Sequence, residues 1–495
     1  PTTFSSTAQS LYSIVLNKIS KAMKTISLYL FFIIFCESAF SQSITISPGT
    51  TENPAMIDIK SDYQRGVRIP SMGTVERLGI QNPSNGFTVF DSDKKGLCSF
   101  FDKNWYCSIK DSIVDTQLQL KFASDSTADD NFGHAVAISG TTAIAGAPNA
   151  EVNTNTNQGA VYIYSYSTSS KTWTQTQKLI AADGVTNDNF GASVALVGNY
   201  MIVGAPGASS NTGAAYIYKK ISNVWTQEAK IIPSDGLTSD RFGVSVNFFV
   251  NASSIPFALI ASSGDDNPSP SLTNLGSAYL YSPVSSVWTF QQKFVETTGF
   301  NSDGFGMVVR FKDENTIVVA KPRADNGSIN DSNTGKVYTY RKPASTWSLV
   351  QTFALSQNND LGEDVAINGD YMVVGYRFGA RVYKYNTTTN LWINSPKTLI
   401  SPYSAVYFGA SVAIDGDRIL VRDTYYNYGV FYKLTNSSTN TWTAYQTVSF
   451  SGFCYHINTE GHISALENGL FIGGEGEESC SFRPGKLVFG EYNNN

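Results

Sequence analysis

The sequence predicts an all-β chain: a seven-bladed β-propeller of four-stranded antiparallel blades, closed by an N-terminal strand and preceded by a small β-rich module. Three observations predict it. A phrase opening on Phe-Gly or Leu-Gly returns from Phe132 onward at intervals of roughly 47 to 63 residues. Each copy alternates into four short strands punctuated by Gly, Asn and Asp. The last copy stops one strand short, and a segment with the pattern of that missing strand stands ahead of the first copy.

Composition agrees. At 495 residues the chain exceeds one ordinary core, so several units or one large repeat architecture are expected. Charged residues make up only 15%, while Tyr, Phe, Gly, Ser, Thr and Asn are abundant, which suits short strands and tight polar turns. The formal charge of −5 is mild, and no Lys/Arg cluster offers to neutralise a row of phosphates, so nucleic acid is excluded as a partner class.

The N-terminal elements come first. Residues 1–22 lack an initiator Met and read as an upstream, non-native segment. Residues 23–41 read as a signal peptide: Lys24 follows Met23, and Ile26 to Phe35 form an apolar run of about ten residues, too short for a membrane span. Ala39 and Ser41 are small where the peptidase pocket requires it, so cleavage is expected between Ser41 and Gln42. No later apolar run reaches the ~20 residues of a transmembrane helix. The mature chain is therefore expected to lie outside the cell or on its surface. Without the leader, and with it Cys36, four cysteines remain. Cys98 and Cys107 flank a hairpin-like segment, and Cys454 and Cys480 share the last repeat, so local pairing is expected, although four cysteines allow three connectivities.

Residues 42–113 lack the repeat. The stretch from Asn53 through Ile69-Pro-Ser-Met72 to Gly86 resembles a recurrent N-terminal segment of exported bacterial surface and tail-fibre-like proteins, with Arg77 and Ile80 in matching places. The resemblance implies a small β-rich module joining the repeats to another chain or surface; a linker is the alternative over residues 44–66.

Residues 114–495 carry the repeats. In the second copy the strands are expected at Ala192–Leu196, Tyr200–Val203, Ala214–Tyr218 and Trp225–Ile231. Small residues such as Gly191, Ala192, Ser193 and Ala195 suit innermost strands crowded round a channel. Trp173, Trp225, Trp288, Trp347, Trp392 and Trp442 each open a fourth strand, where an indole can fill the widening gap against the neighbouring sheet. After Lys486 to Tyr492 no Trp-led strand follows, and Asp115 to Phe122 supplies one, so the ends of the domain are expected to pair.

The phrase Phe190-Gly191-Ala-Ser-Val194 with Gly204-Ala205-Pro206, repeated as Phe132-Gly133 with Gly146-Ala147-Pro148, resembles the FG-GAP repeat of integrin α-subunit heads and of many secreted bacterial proteins. The resemblance spans about three quarters of the chain and implies the seven-bladed propeller. Later copies erode the GAP triplet to Ala261-Ser262-Ser263, Ala320-Lys321-Pro322, Gly375-Tyr376-Arg377 and Val421-Arg422-Asp423.

For chemistry, the acidic loops ahead of each Phe-Gly are the candidates: Asp125 and Asp129, Asp183 and Asp188, Asp235 and Asp240, with Asp265 and Asp325 in later loops. Clustered carboxylates suit calcium, but each loop offers few, and Asp-Gly turns use the same residues for local capping. The integrin calcium loop lies between the FG and GAP strands, where this chain has only short turns, so the resemblance transfers no metal residues and no cofactor is expected. No catalytic residue is assigned. The histidines are His134, His456 and His462, without metal-binding spacing, and no nucleophile elbow is present; His134 is placed to look into the channel. The expected function is recognition of an extracellular protein or carbohydrate through propeller loops. The alternatives are a secreted polysaccharide hydrolase or lyase, which needs His, Arg, Tyr or carboxylates converging at one end of the channel, and a spacer in a surface fibre.

Overall fold

The computed structural model describes short segments between residues 58 and 107 and most of residues 119–491; residues 23–41, Cys454, Cys480, His456, His462 and Asp325 lie outside the described residues. The chain divides into two compact units, 1–111 and 112–495. In the first, Asp58–Lys60 pairs with Gly66–Arg68, and a four-stranded sheet joins Ser71–Met72 in parallel to Thr88–Asp91, then Gly96–Phe101 and Asn104–Cys107 in antiparallel. Buried Cys98 stands directly opposite Cys107 in that register.

The second unit holds seven sheets in sequence order. The second blade is representative, with strands Ser193–Val197, Tyr200–Ala205, Ala214–Ile221 and Val224–Ile231 paired in the order of the chain. In the fifth blade the outer strand is split into Leu391–Trp392 and Lys397–Ile400, both paired to Gly379–Asn386. The seventh blade is completed from the other end of the domain: Gln119–Lys121 pairs antiparallel to Lys486–Glu491, with Val488 opposite Leu120. The expected pairing of the ends is therefore present, and it leaves the last blade no open inner partner.

The Phe-Gly phrase has a packing reason in each of its letters. Phe190 packs edge-on against Tyr216 at 5.3 Å, and Phe132, Phe242 and Phe305 meet Tyr162, Tyr279 and Tyr338 at the same distance. Gly191 adopts φ 95°, and an added Cβ would lie 2.6 Å from the Ala160 carbonyl of the preceding blade. The GAP glycines complete the contact: a Cβ on Gly146 would meet the Gly191 carbonyl at 1.9 Å, and one on Gly474 the Gly133 carbonyl at 2.0 Å. These glycines thus bring neighbouring blades together, from the seventh to the first as well, rather than only clearing a channel.

Further contacts close the circle. In the turns joining the two inner strands, a side chain of one blade accepts a backbone N–H of the next. Ser139 accepts from Gly198 at 3.1 Å, Asn368 from Gly416 at 3.2 Å, Asp415 from Asn468 at 2.7 Å and Glu467 from Gly140 at 2.9 Å. The outer strands are linked by glutamines. Gln177 accepts from the Trp225 N–H and donates to its carbonyl, both at 3.0 Å, and Gln351 does the same for Trp392 at 2.7 and 2.8 Å. In the closing strand Gln119 accepts from the Trp173 N–H at 2.9 Å. The indoles act as packing: Trp173 stacks on Phe489 of the seventh blade at 4.6 Å, and Trp442 meets Tyr371 of the fifth at 5.4 Å. Trp347 lies one residue ahead of its strand, Ser348–Ala354.

Candidate functional site

The acidic loops are held from within. Asp125, Asp183 and Asp235 stand at the same place in three successive repeats, and each is gripped by a lysine of the fourth strand and a tyrosine of the third. Lys178, Lys230 and Lys293 reach them at 2.6, 2.7 and 2.7 Å. Tyr162, Tyr216 and Tyr279 donate hydroxyls at 2.8, 3.1 and 3.2 Å, and each lysine lies over the ring of its tyrosine. The hydrogen bond from Lys230 holds the Asp183 carboxyl below its ordinary range despite partial burial, and burial beside that carboxylate pushes the Tyr216 phenol up to about 12. In the fourth blade Glu296 takes the part of the aspartate, bound by Lys321 and, at 2.8 Å, by Tyr338.

The second acid of each loop caps a turn. Asp130 accepts the Thr127 N–H at 2.8 Å, Asp188 the Val185 N–H at 2.9 Å and Asp240 the Leu237 N–H at 2.6 Å. Buried Asp265 accepts from Ser277, Tyr279 and Lys293 at 2.6 to 2.7 Å. Asp129 is exposed with φ 75°. Apart from Asp129, these carboxylates are engaged by protein donors, an arrangement that suits a scaffold and does not fit a calcium cage. Among the described residues no group of three His, Cys, Asp or Glu side chains gathers around a common point.

The inner strands of all seven blades surround a central cavity of about 220 Å³, lined by Val136, Leu196, Phe248, Val365, Ile414, Leu466 and their aliphatic neighbours, with Asn247 and Arg310 as its polar members. Arg310 is bound at 3.1 Å to buried Asp364, which also accepts the N–H groups of Val365 and Val412. His134 is half-buried, with Nδ1 in hydrogen-bond contact with Asn131 at 3.1 Å, and is not among the residues lining the cavity.

Departures from the repeat adjoin the Leu-Gly pair of the fifth blade. Arg377 stands where the first two blades carry Pro148 and Pro206, and Glu363 where the second and sixth carry Ala192 and Ala410. Asp360, one residue ahead of Leu361-Gly362, and Arg323, just beyond the fourth blade's Ala320-Lys321-Pro322, join them. The Arg377 guanidinium lies 5.0 Å over the Tyr407 ring, donates to its hydroxyl at 3.2 Å and sits 5.8 Å from the ring of half-exposed Phe378. Glu363 opens to solvent yet is ringed by protein; that desolvation, with Asp360 and Asp364 beside it, pushes its carboxyl up to about 7 against the pull of Arg323 and Arg377. Burial also raises Asp360, opposed by Arg377 and Arg323. The eroded triplet at Gly375-Tyr376-Arg377 is visible in the sequence, where Arg377 takes the place of Pro148 and Pro206; Asp360 and Glu363 stand at positions that vary from copy to copy and give no comparable signal.

The fold and this repeat define a β-propeller of FG-GAP repeats. The family described as FG-GAP repeat matches residues 117–164, 173–218 and 225–281, so the chain carries FG-GAP repeats over that stretch. Among solved structures it is similar to a suggested 6-phosphogluconolactonase of Bacteroides uniformis, at 10% identity over 74% of this chain and 94% of that one, with a TM-score of 0.46. It is also similar to the periplasmic gluconolactonase of Pseudomonas aeruginosa, at 11% identity over 82% and 95%, with a TM-score of 0.44. Nothing about this chain's chemistry follows from likenesses at that level. No curated protein matches it.

Proposed function

We propose that the chain is an exported recognition module that binds an extracellular ligand through the loops at the Phe-Gly end of its propeller. The observation that carries the reading is that Arg377 stands at the place of Pro148 and Pro206, with Asp360 and Glu363 flanking the Leu-Gly pair of the same blade and Arg323 following Pro322 of the neighbouring one. Charges at Arg377 and Glu363, places that several other copies fill with proline or an uncharged residue, are departures of the kind that mark function. The leader-like segment before Gln42 supports export. So does the register that sets Cys98 opposite Cys107, where a disulfide would suit an oxidising compartment. Among the described residues no helix is long and apolar enough to cross a membrane.

The test is an array of glycans and extracellular proteins probed with the full chain, with and without chelator. Ligand capture that survives chelation supports the reading, whereas the absence of any ligand, or capture lost on chelation, counts against it. A second reading, a polysaccharide hydrolase or lyase, is favoured by Asp360 and Glu363, two carboxyls with raised proton affinity beside two arginines. Turnover of a bound glycan would select it.

A further inference from the structure

We propose that the cluster formed by Arg323, Asp360, Glu363, Arg377, Phe378 and Tyr407 binds an acidic saccharide, with a sugar carboxylate held by the arginines and the ring lying along the aromatic surface. This rests on the recognition reading above and names the ligand class of the same site.

The argument starts from Arg377. Its backbone is fixed by an N–H bond to the Asn359 carbonyl at 2.8 Å, and its guanidinium is oriented by the Tyr407 hydroxyl and ring. A guanidinium ordered in this way presents a planar cation of fixed direction to an anion. Exposed Arg323 comes off the neighbouring blade beside the same Leu-Gly pair: the next residue, Ala324, accepts the Thr334 N–H at 2.9 Å, and the Thr334 carbonyl accepts the Leu361 N–H at 3.3 Å. The site thus sets two arginines beside Asp360 and Glu363.

The acids decide which anion. A ligand dense in charge, such as a phosphodiester chain or an acidic peptide, brings further negative groups against Asp360, Glu363 and Asp364 and is repelled. A uronic acid carries one carboxylate per ring, surrounded by hydroxyls. Those hydroxyls are donors for the Asp360 carboxylate and acceptors for a protonated Glu363 carboxyl. Phe378 is 44% exposed and adjoins the arginine, giving the C–H face of a sugar an apolar surface. An arginine pair with carboxyls and an aromatic face is what a singly charged, polyhydroxylated ring can satisfy throughout.

The experiment is calorimetric titration of the full chain with an oligogalacturonate, an oligomannuronate, their carboxyl-reduced counterparts and an oligoglutamate peptide. Binding of one uronate, lost on carboxyl reduction and weakened roughly ten- to a hundredfold by Arg377→Ala and by Arg323→Ala, supports the proposal. Arg323 is exposed, so its variant keeps the test valid if Arg377→Ala fails to fold. Arg377→Lys should recover only part of the affinity, because an ammonium lacks the planar fork. Uronate binding that both alanine variants retain overturns the proposal, and so does oligoglutamate binding as tight as the uronate. If the array yields a neutral glycan or a protein whose capture ignores both arginines, the recognition reading stands and this site falls. If the array yields nothing, the broader reading falls with it.

Discussion

Lys230 and Lys293 occupy equivalent places in successive blades, yet their environments differ in a way that predicts different costs. Asp183, the partner of Lys230, is 54% exposed at its side chain, whereas Lys293 also holds Asp265, which is 6% exposed. Lys230→Met should therefore cost no more than about 1 kcal/mol in urea unfolding. Lys293→Met strands a buried carboxylate and should cost about 3–5 kcal/mol. Glu363 makes a second prediction. Its proton affinity is raised in the folded chain, so its contribution to stability is full below its ordinary pKa and is lost as pH rises through about 7. Glu363→Gln should remove that part of the pH dependence between about 4.5 and 7, measured as Tm against pH. At this scale the sequence was readable in part. The loop aspartates stood out by repetition, and capping was the favoured role, but lysines and tyrosines distant in sequence decide what Asp183 binds. The Arg323–Arg377 cluster was harder to see, because each member departs from the repeat at a different position and in a different blade.

The individual blade was the most legible level. Alternation placed the second blade's strands within a few residues of those observed, because Gly, Asn and Asp punctuate each turn in sequence. The glycines were read as room around a channel, whereas their main contact is with the next blade, and backbone proximity of that kind leaves no mark on composition. Gly191→Ala should accordingly cost about 3 kcal/mol or more, combining left-handed backbone with a backbone clash. Gly198→Ala, at φ 56° with open space around it, should cost only about 1–2 kcal/mol. The paired Gln177 bonds were not foreseen either, since a lone glutamine on an outer strand looks like any solvated residue. Gln177→Ala leaves both polar groups of the Trp225 backbone without their partner and should lower stability by about 1–3 kcal/mol, measured by denaturant unfolding.

Closure across the termini could be anticipated from the sequence because the repeat count fell one strand short at one end and ran one strand over at the other. The same feature makes a prediction for the entire ring. A chain that begins at Ala123 lacks Gln119–Lys121, exposes the edge of Lys486–Glu491 and loses the Gln119 link to Trp173. It should melt at lower temperature and self-associate through the bare edge, seen as larger species in size-exclusion chromatography.

The strand that finishes the last blade is among the first of the domain to be made. About 370 residues separate it from its partner, so at ordinary synthesis rates it waits roughly 20–70 s before that partner exists. Until then six blades can form by local pairing while both ends of the future seam stay unsatisfied. Joining them closes a contact between the two ends of the domain, and a second chain arriving at that moment offers the same seam a wrong mate.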